Sequence, residues 1–389
     1  MNLLYLAEDY LNSKVHHQLC NAIANTDNNI SIQLFAIKRT DRKYNDLRDS
    51  YKDIVYTPHI TSFNGSYLLY RCFFPYKVWK KYHLLKEKIN MKEIDFTHAA
   101  TLFSEGSIAL MLFEKFGIPY TIAVRGVDIN LYLKKMPHLW ALGRKIIRHA
   151  QKVVFITPSH RLSALQSAPL QSIKLELEKK SVVIHNGIDD FWIENRSLET
   201  AALSGNHILY TGRFDKNKNV EMLINACNVA RKTIPDLHLN LVGGSGNCEK
   251  KNIKLAQKHQ DWITLHGIIY NQDKLCHIFR QNHIFAMPSH SETFGLVYIE
   301  ALTQGVPVLY TEKQGFDGFY PSDTVGYAVN SRDKKAISAQ IVKLFQTRLT
   351  LQKSIHQLSF EQFSWKRIAE NYLVELKVFG CISKRKFNG

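Results

Sequence analysis

A chain of 389 residues, 45% hydrophobic and 22% charged, has the composition of a soluble globular protein with material for two or three domains. No apolar run approaches the roughly 20 residues that span a bilayer, which excludes a membrane-spanning helix. The formal charge of +17 favours anionic partners, whether nucleic acid, phosphates or anionic lipid. The chain opens Met1-Asn2-Leu3-Leu4-Tyr5-Leu6, with Glu8 and Asp9 directly behind, which reads as a first strand and lacks the basic region and cleavage site of a secretion signal.

From there short β-branched runs alternate with helical patterns. Strands are expected over 3–7, 31–37, 53–56, 120–124, 153–157 and 182–185, then over 208–211, 237–242, 263–266, 284–287, 306–310 and 326–329. Helical periodicity covers 13–24, 107–116, 136–150, 220–232, 273–281 and 298–303. Such alternation predicts an α/β protein with parallel sheets covered by helices, and twelve strands divide more naturally into two sheets than one. The break is expected between Asn186 and Asn206, where Asn186-Gly187 signals a turn and Glu194, Glu199 and Ser204-Gly205 follow without period. The six cysteines (Cys20, Cys72, Cys227, Cys248, Cys276 and Cys381) form no CxxC pair and read as buried reduced thiols, pointing to the cytoplasm.

Two stretches are strongly basic. Arg71 to Lys92 holds seven Lys/Arg against the single acid Glu87, and Lys134 to Lys152 holds six and no acid. Phe73, Phe74, Tyr76, Trp79, Tyr82 and Trp140 are interleaved, a mixture suited to peripheral contact with an anionic membrane surface, with Lys80, Lys81, Lys134 and Lys135 as the contacting charges. Nucleic acid is not expected as a partner, because no recognition motif accompanies the charge.

Ligands of open parallel sheets bind beyond the carboxyl ends of the strands, so the loops after strands carry the chemistry. Three stand out. Gly212-Arg213-Phe214-Asp215-Lys216-Asn217-Lys218-Asn219 puts an arginine fork and a lysine point charge in one loop, both suited to phosphate. Val242-Gly243-Gly244-Ser245-Gly246 is a glycine-rich turn. Pro288-Ser289-His290-Ser291-Glu292-Thr293-Phe294-Gly295-Leu296 leads from a strand into a helix, whose free N–H groups and dipole suit an anion, and it places Glu292 and Glu300 at different depths of one pocket.

This ordered set, completed by His266-Gly267 and Gly305-Val306-Pro307-Val308, resembles the retaining glycosyltransferases of family four over residues 208–329. The resemblance implies the GT-B fold: two Rossmann-like domains facing each other across a cleft. An N-terminal acceptor domain is expected over 1–190, a nucleotide-sugar domain over 191–362, and a helix over 363–389 that crosses back to the first domain. It further implies that Arg213 and Lys218 hold the donor diphosphate, that Glu292 touches the donor sugar and that Glu300 binds the ribose hydroxyls. By the same resemblance Gly212, Phe294, Gly295 and Leu296 line the donor site and Gly267 with Ile268 meets the base.

The first half matches more loosely, with His98 and Asp128 expected on the acceptor side. Two departures are visible. Glu8-Asp9-Tyr10-Leu11 stands where the family often has a Gly-Gly loop, and Arg125 stands where many members have a catalytic His. The expected activity is retaining, metal-independent transfer of a hexosyl group from a nucleotide-diphosphate sugar to a glycan or lipid-linked glycan, with no cofactor, in bacterial surface polysaccharide synthesis at the inner face of the cytoplasmic membrane. An inactive nucleotide-sugar-binding scaffold is the alternative left by Arg125.

Overall fold

The computed structural model describes residues 1–39, 51, 53–63, 73–197 and 204–386. Arg71, Cys72 and Glu199 lie outside the described residues, as does the side chain of Cys381.

The chain forms two compact units. The first comprises residues 1–156, 160–187 and 365–389; the second comprises 157–159 and 188–364. The divide falls at Gly187 and Ile188, earlier than Asp190, because the Ile188 side chain joins the second core and its N–H bonds to the Phe363 carbonyl at 2.9 Å.

The first unit is built on seven parallel strands: β1 (Asn2–Leu6), β2 (Ser31–Arg39), β3 (Thr57–Phe63), β4 (Phe96–Ala99), β5 (Tyr120–Val124), β6 (Lys152–Phe155) and β7 (Ser181–Val183), in the order β3-β2-β1-β4-β5-β6-β7. Both faces are buried, as a parallel sheet requires. Alternation along β1 sends Leu4 and Leu6 to one apolar cluster and Leu3 and Tyr5 to the other. Its main helices are α1 (Lys14–Thr26), α2 (Phe74–Lys88), α3 (Ser104–Phe116) and α4 (Trp140–His149). The strand expected at 53–56 lies instead at Thr57–Phe63: Asp53 takes φ 49°, which breaks extension, and Pro58 is tolerated because β3 is an edge strand. The helix expected from 136 begins at Trp140, after a 3₁₀ turn opened by Pro137.

The second unit carries β8 (Asn206–Arg213), β9 (Leu237–Gly244), β10 (Ile263–Gly267), β11 (Ile284–Ala286), β12 (Val308–Thr311) and β13 (Gly326–Val329), all parallel, in the order β10-β9-β8-β11-β12-β13. Around it lie α5 (Val220–Ala230), α6 (Glu249–Gln257), α7 (Gln272–Arg280), α8 (Leu296–Thr303) and α9 (Lys334–His356). The last helix, α10 (Trp365–Lys386), belongs to the first unit, where Ile368, Tyr372 and Leu376 enter the cluster that α1 covers.

Each strand order reverses once, between β1 and β4 in the first unit and between β8 and β11 in the second. A crevice opens at such a reversal, beyond the carboxyl ends of the two strands.

Candidate functional site

In the second unit the reversal point is bounded by the loop after β8 and the loop after β11. Glycine lets the ends of β8 and its neighbour β9 approach. A Cβ on Gly243, at φ 133°, would lie 1.9 Å from the Gly212 carbonyl oxygen. Beyond β8, the Asp215 carboxylate accepts the Lys218 N–H at 3.0 Å and winds 216–218 into a turn. Two asparagines then fasten this turn to the loop after β11. Asn217 takes the Ser291 N–H on Oδ1 at 3.0 Å and donates Nδ2 to the Ser291 carbonyl at 2.7 Å. Asn219, at φ 60°, donates Nδ2 to the carbonyls of Pro288 at 3.0 Å and Ser331 at 2.8 Å.

That fastening brings the charged groups together. Lys218 Nζ lies 2.7 Å from Glu292 Oε2. Glu292 is itself fixed: its N–H donates to Gln314 Oε1 at 3.3 Å and its carbonyl accepts from Gly315 at 3.0 Å. Arg213 ends β8 with its side chain 64% exposed and Nε 3.7 Å from Asp215 Oδ2, so its guanidinium is open to a ligand.

Gly295, at φ 87°, starts α8; a Cβ there would sit 2.4 Å from the Tyr298 ring, which is pinned by a 2.6 Å bond from its hydroxyl to the Met287 carbonyl. The Tyr298 N–H donates to the Gly295 carbonyl at 3.0 Å, while the N–H groups of Leu296 and Val297, at the very start of the helix, have no carbonyl of the helix to meet and present a positive dipole end. One turn further along, Glu300 is half-buried, and its carboxylate has no hydrogen-bond or ionic partner among the described residues. Burial, aided by Asp189, pushes it up to about 7. At the end of β10, Gly267 at φ 68° borders open space and Ile268 is 49% exposed.

Phe294 differs from the expectation. Its side chain is buried against Phe319 and Phe363 at ring distances of 5.3 and 6.4 Å, so it anchors the loop from within the core and offers a ligand no ring surface.

In the first unit, Arg125 follows β5 and donates Nε to the Ala100 carbonyl at 2.8 Å. Asp128 and His98, expected to face an acceptor, are interior. Asp128 is fully buried and accepts the N–H groups of Arg125, Leu102 and Phe103 at 3.0, 3.2 and 3.3 Å, while burial still pushes it up to about 7. It therefore shapes the Arg125 loop from behind. His98 bonds Thr121 at 2.8 Å and packs on Tyr5 and Tyr372; burial, then the Arg125 charge, pushes it down to about 3, so it stays neutral. Lys81, expected as a surface charge, is buried and paired with Glu8 Oε2 at 2.6 Å. The exposed large apolar side chains here are Phe73, just before α2, and Tyr76 and Trp79 on it.

Sequence reasoning assigned no role to Asn217, Asn219, Gln314 or the Glu8–Lys81 pair. Asn219 alone left a signal, an asparagine at a helix start where a left-handed conformation is tolerated.

Residues 194–359, which cover the geometry described in the second unit, match the family model described as glycosyl transferases group 1. The match spans the second unit and leaves the first unit outside it. An uncharacterized glycosyltransferase of Methanocaldococcus jannaschii is 24% identical over 82% of this chain and 83% of its own. The structure of Anabaena HepE in complex with UDP superposes with a TM-score of 0.69 at 16% identity, covering 97% of this chain and 100% of that one. The lipopolysaccharide outer core galactosyltransferase WaaB gives 0.70 at 14% identity, covering 97% and 99%. The chain thus has the GT-B fold.

Proposed function

We propose that this glycosyltransferase moves one hexosyl group from a nucleoside-diphosphate donor, held by the second unit, to a hydroxyl of a glycan or lipid-linked glycan. The Lys218–Glu292 pair at the strand-order reversal, flanked by Arg213 and the start of α8, carries the reading. Negative charge grows on the departing diphosphate, and fixed cations with a helix dipole stabilise it without reorganisation. Lys218 carries three N–H groups, so it can hold a phosphate oxygen while it keeps Glu292 oriented toward the sugar hydroxyls. Glu300, a half-buried carboxylate wanting donors, suits the ribose diol. The UDP bound by HepE supports a nucleotide at this site, and the cations present suit a metal-independent reaction.

Glu292 is committed to Lys218, so retention is proposed to proceed on one face of the sugar. The bond from the anomeric carbon to the phosphate oxygen breaks, the bond to the acceptor oxygen forms on the same side, and the acceptor proton passes to the leaving phosphate. The acceptor is proposed to belong to surface polysaccharide synthesis, as the likeness to the lipopolysaccharide outer core galactosyltransferase WaaB suggests, and to be met at an anionic membrane face through Phe73 before α2 and Tyr76 and Trp79 on it. No helix among the described residues is long and apolar enough to cross a membrane.

The test is incubation with UDP-, GDP-, ADP- and TDP-sugars and a bacterial glycolipid extract, reading nucleoside diphosphate release and the product anomer by NMR. Release from one donor class, lost in Lys218→Met and Glu292→Gln, with the donor's anomeric configuration kept, is expected. Inversion, or no release from any donor by folded protein, would overturn the reading.

A further inference from the structure

The strand-order reversal of the first unit holds a second set of charged groups, which the donor chemistry does not use. Glu8 lies just past β1. Its Oε2 faces Lys81 Nζ at 2.6 Å and Lys77 Nζ at 3.4 Å, two lysines one turn apart on α2. Lys77 also donates to Ser104 Oγ at 3.3 Å. The Glu8 N–H donates to Glu105 Oε1 at 2.8 Å, and the Thr101 hydroxyl, just past β4, donates to Glu105 Oε2. The Glu8, Lys77 and Lys81 side chains are 21%, 12% and 3% exposed.

Two features set this cluster apart from a structural ion pair. Buried charges cost desolvation that an apolar core would avoid, so a network of four ionisable groups at a sheet edge has no stabilising rationale of its own. It is also incomplete. Glu8 Oε1 has no partner among the described residues, and Lys77 keeps one N–H beyond its two partners. A carboxylate oxygen beside a spare ammonium donor matches a vicinal diol: one hydroxyl donates to the first and its neighbour accepts from the second. Burial opposes the charge on Glu8, but Lys81 and Lys77 outweigh it and hold the carboxyl at about 2, so the diol reader is ionised at every physiological pH.

We propose that Glu8 Oε1 and Lys77 Nζ, at the carboxyl edge of β1, form the subsite that grips a vicinal diol of an uncharged acceptor sugar. The departure of this chain from a Gly-Gly loop is then functional: the glutamate supplies a side-chain contact where glycine offers only backbone. The inference rests on the glycosyl-transfer reading for its acceptor, and the experiment separates the two.

Binding of methyl glycosides of glucose, galactose, mannose and N-acetylglucosamine, with 2-deoxy and 3-deoxy analogues, would be titrated by saturation-transfer NMR. UDP, GDP, ADP and TDP would be titrated alongside, on the wild type, Glu8→Gln and Lys77→Met. Lys77→Met leaves the 2.6 Å Glu8–Lys81 pair in place and serves if Glu8→Gln fails to fold. At least one glycoside is expected to bind the wild type, with affinity reduced about tenfold or more in either variant, since each removes a hydrogen bond to a charged group. Nucleotide affinity should stay unchanged. Nucleotide binding without glycoside binding, or glycoside affinity indifferent to both substitutions, would overturn the subsite and leave the donor reading standing. Absence of nucleotide binding would instead overturn the donor reading.

Discussion

Gly295 is the point at which the loop after β11 turns into α8, and Gly295→Ala is a severe single-methyl change there. Its φ of 87° is a left-handed conformation that costs an alanine roughly 1–2 kcal/mol. The added Cβ would lie 2.4 Å from the Tyr298 ring, which cannot retreat freely because it is buried and its hydroxyl is bonded to Met287. Overpacking of this kind costs about 1–3 kcal/mol. A loss near 3 kcal/mol would lower the unfolding midpoint of this unit by roughly 6–12 °C. Nucleotide binding should fall as well, because the start of α8 and Glu292 Cγ, 3.3 Å from the same Cβ, must both shift. Calorimetry of wild type and variant, with and without nucleotide, measures both. A variant melting within about 1 °C of wild type and binding nucleotide normally would refute the claim that this loop is held rigidly.

Asn219→Ala loses two side-chain hydrogen bonds and places a Cβ residue less suited to φ 60°, so a cost of about 1–4 kcal/mol is expected; Asn219→Gly, which restores the backbone but not the bonds, should fall between it and wild type in urea denaturation. Lys81→Met strips Glu8 of its nearest cation and should destabilise the first unit by about 3–5 kcal/mol without a specific effect on anionic liposome binding, whereas Trp79→Ala should do the reverse in a liposome sedimentation assay. Burial pushes His98 to about 3 and His16 well below its usual value, while unfolded histidines titrate near 6.5. The unfolded state therefore binds more protons below pH 6.5, and the first unit should lose stability progressively as pH falls from about 6.5 toward 3; His98→Gln should flatten that slope in pH-dependent denaturation.

The alternation of strand and helix made the two sheets legible, because buried parallel strands are short apolar runs between turns. The charged loops of the second unit were legible for the same reason: Arg213 ends a strand, Lys218 and Glu292 follow strands, and the fold brings Lys218 within 2.7 Å of Glu292. What pattern could not reveal was side-chain direction. Lys81 looked like its exposed neighbours on α2, yet one turn of helix aims it at Glu8, 73 residues away in sequence. Asp128 and His98 sit beside the right strand ends but face inward, and Phe294 lies within the correct motif yet packs on Phe319 and Phe363. Long-range fastening by Asn217, Asn219 and Gln314 depends on which loops meet, and that follows from strand order, which local sequence does not encode.

The central claim is a nucleotide site built on Glu300 and the Arg213–Lys218 loop, and calorimetric titration of nucleoside diphosphates across pH tests it most directly. Ribose hydroxyls bind the ionised form of Glu300, so binding should release protons below about pH 7 and tighten as pH rises toward it; Glu300→Gln should remove that dependence, and Arg213→Gln should weaken affinity at every pH. Affinity that ignores pH from about 5.5 to about 8, or that survives both substitutions, would contradict the placement of the donor at this site.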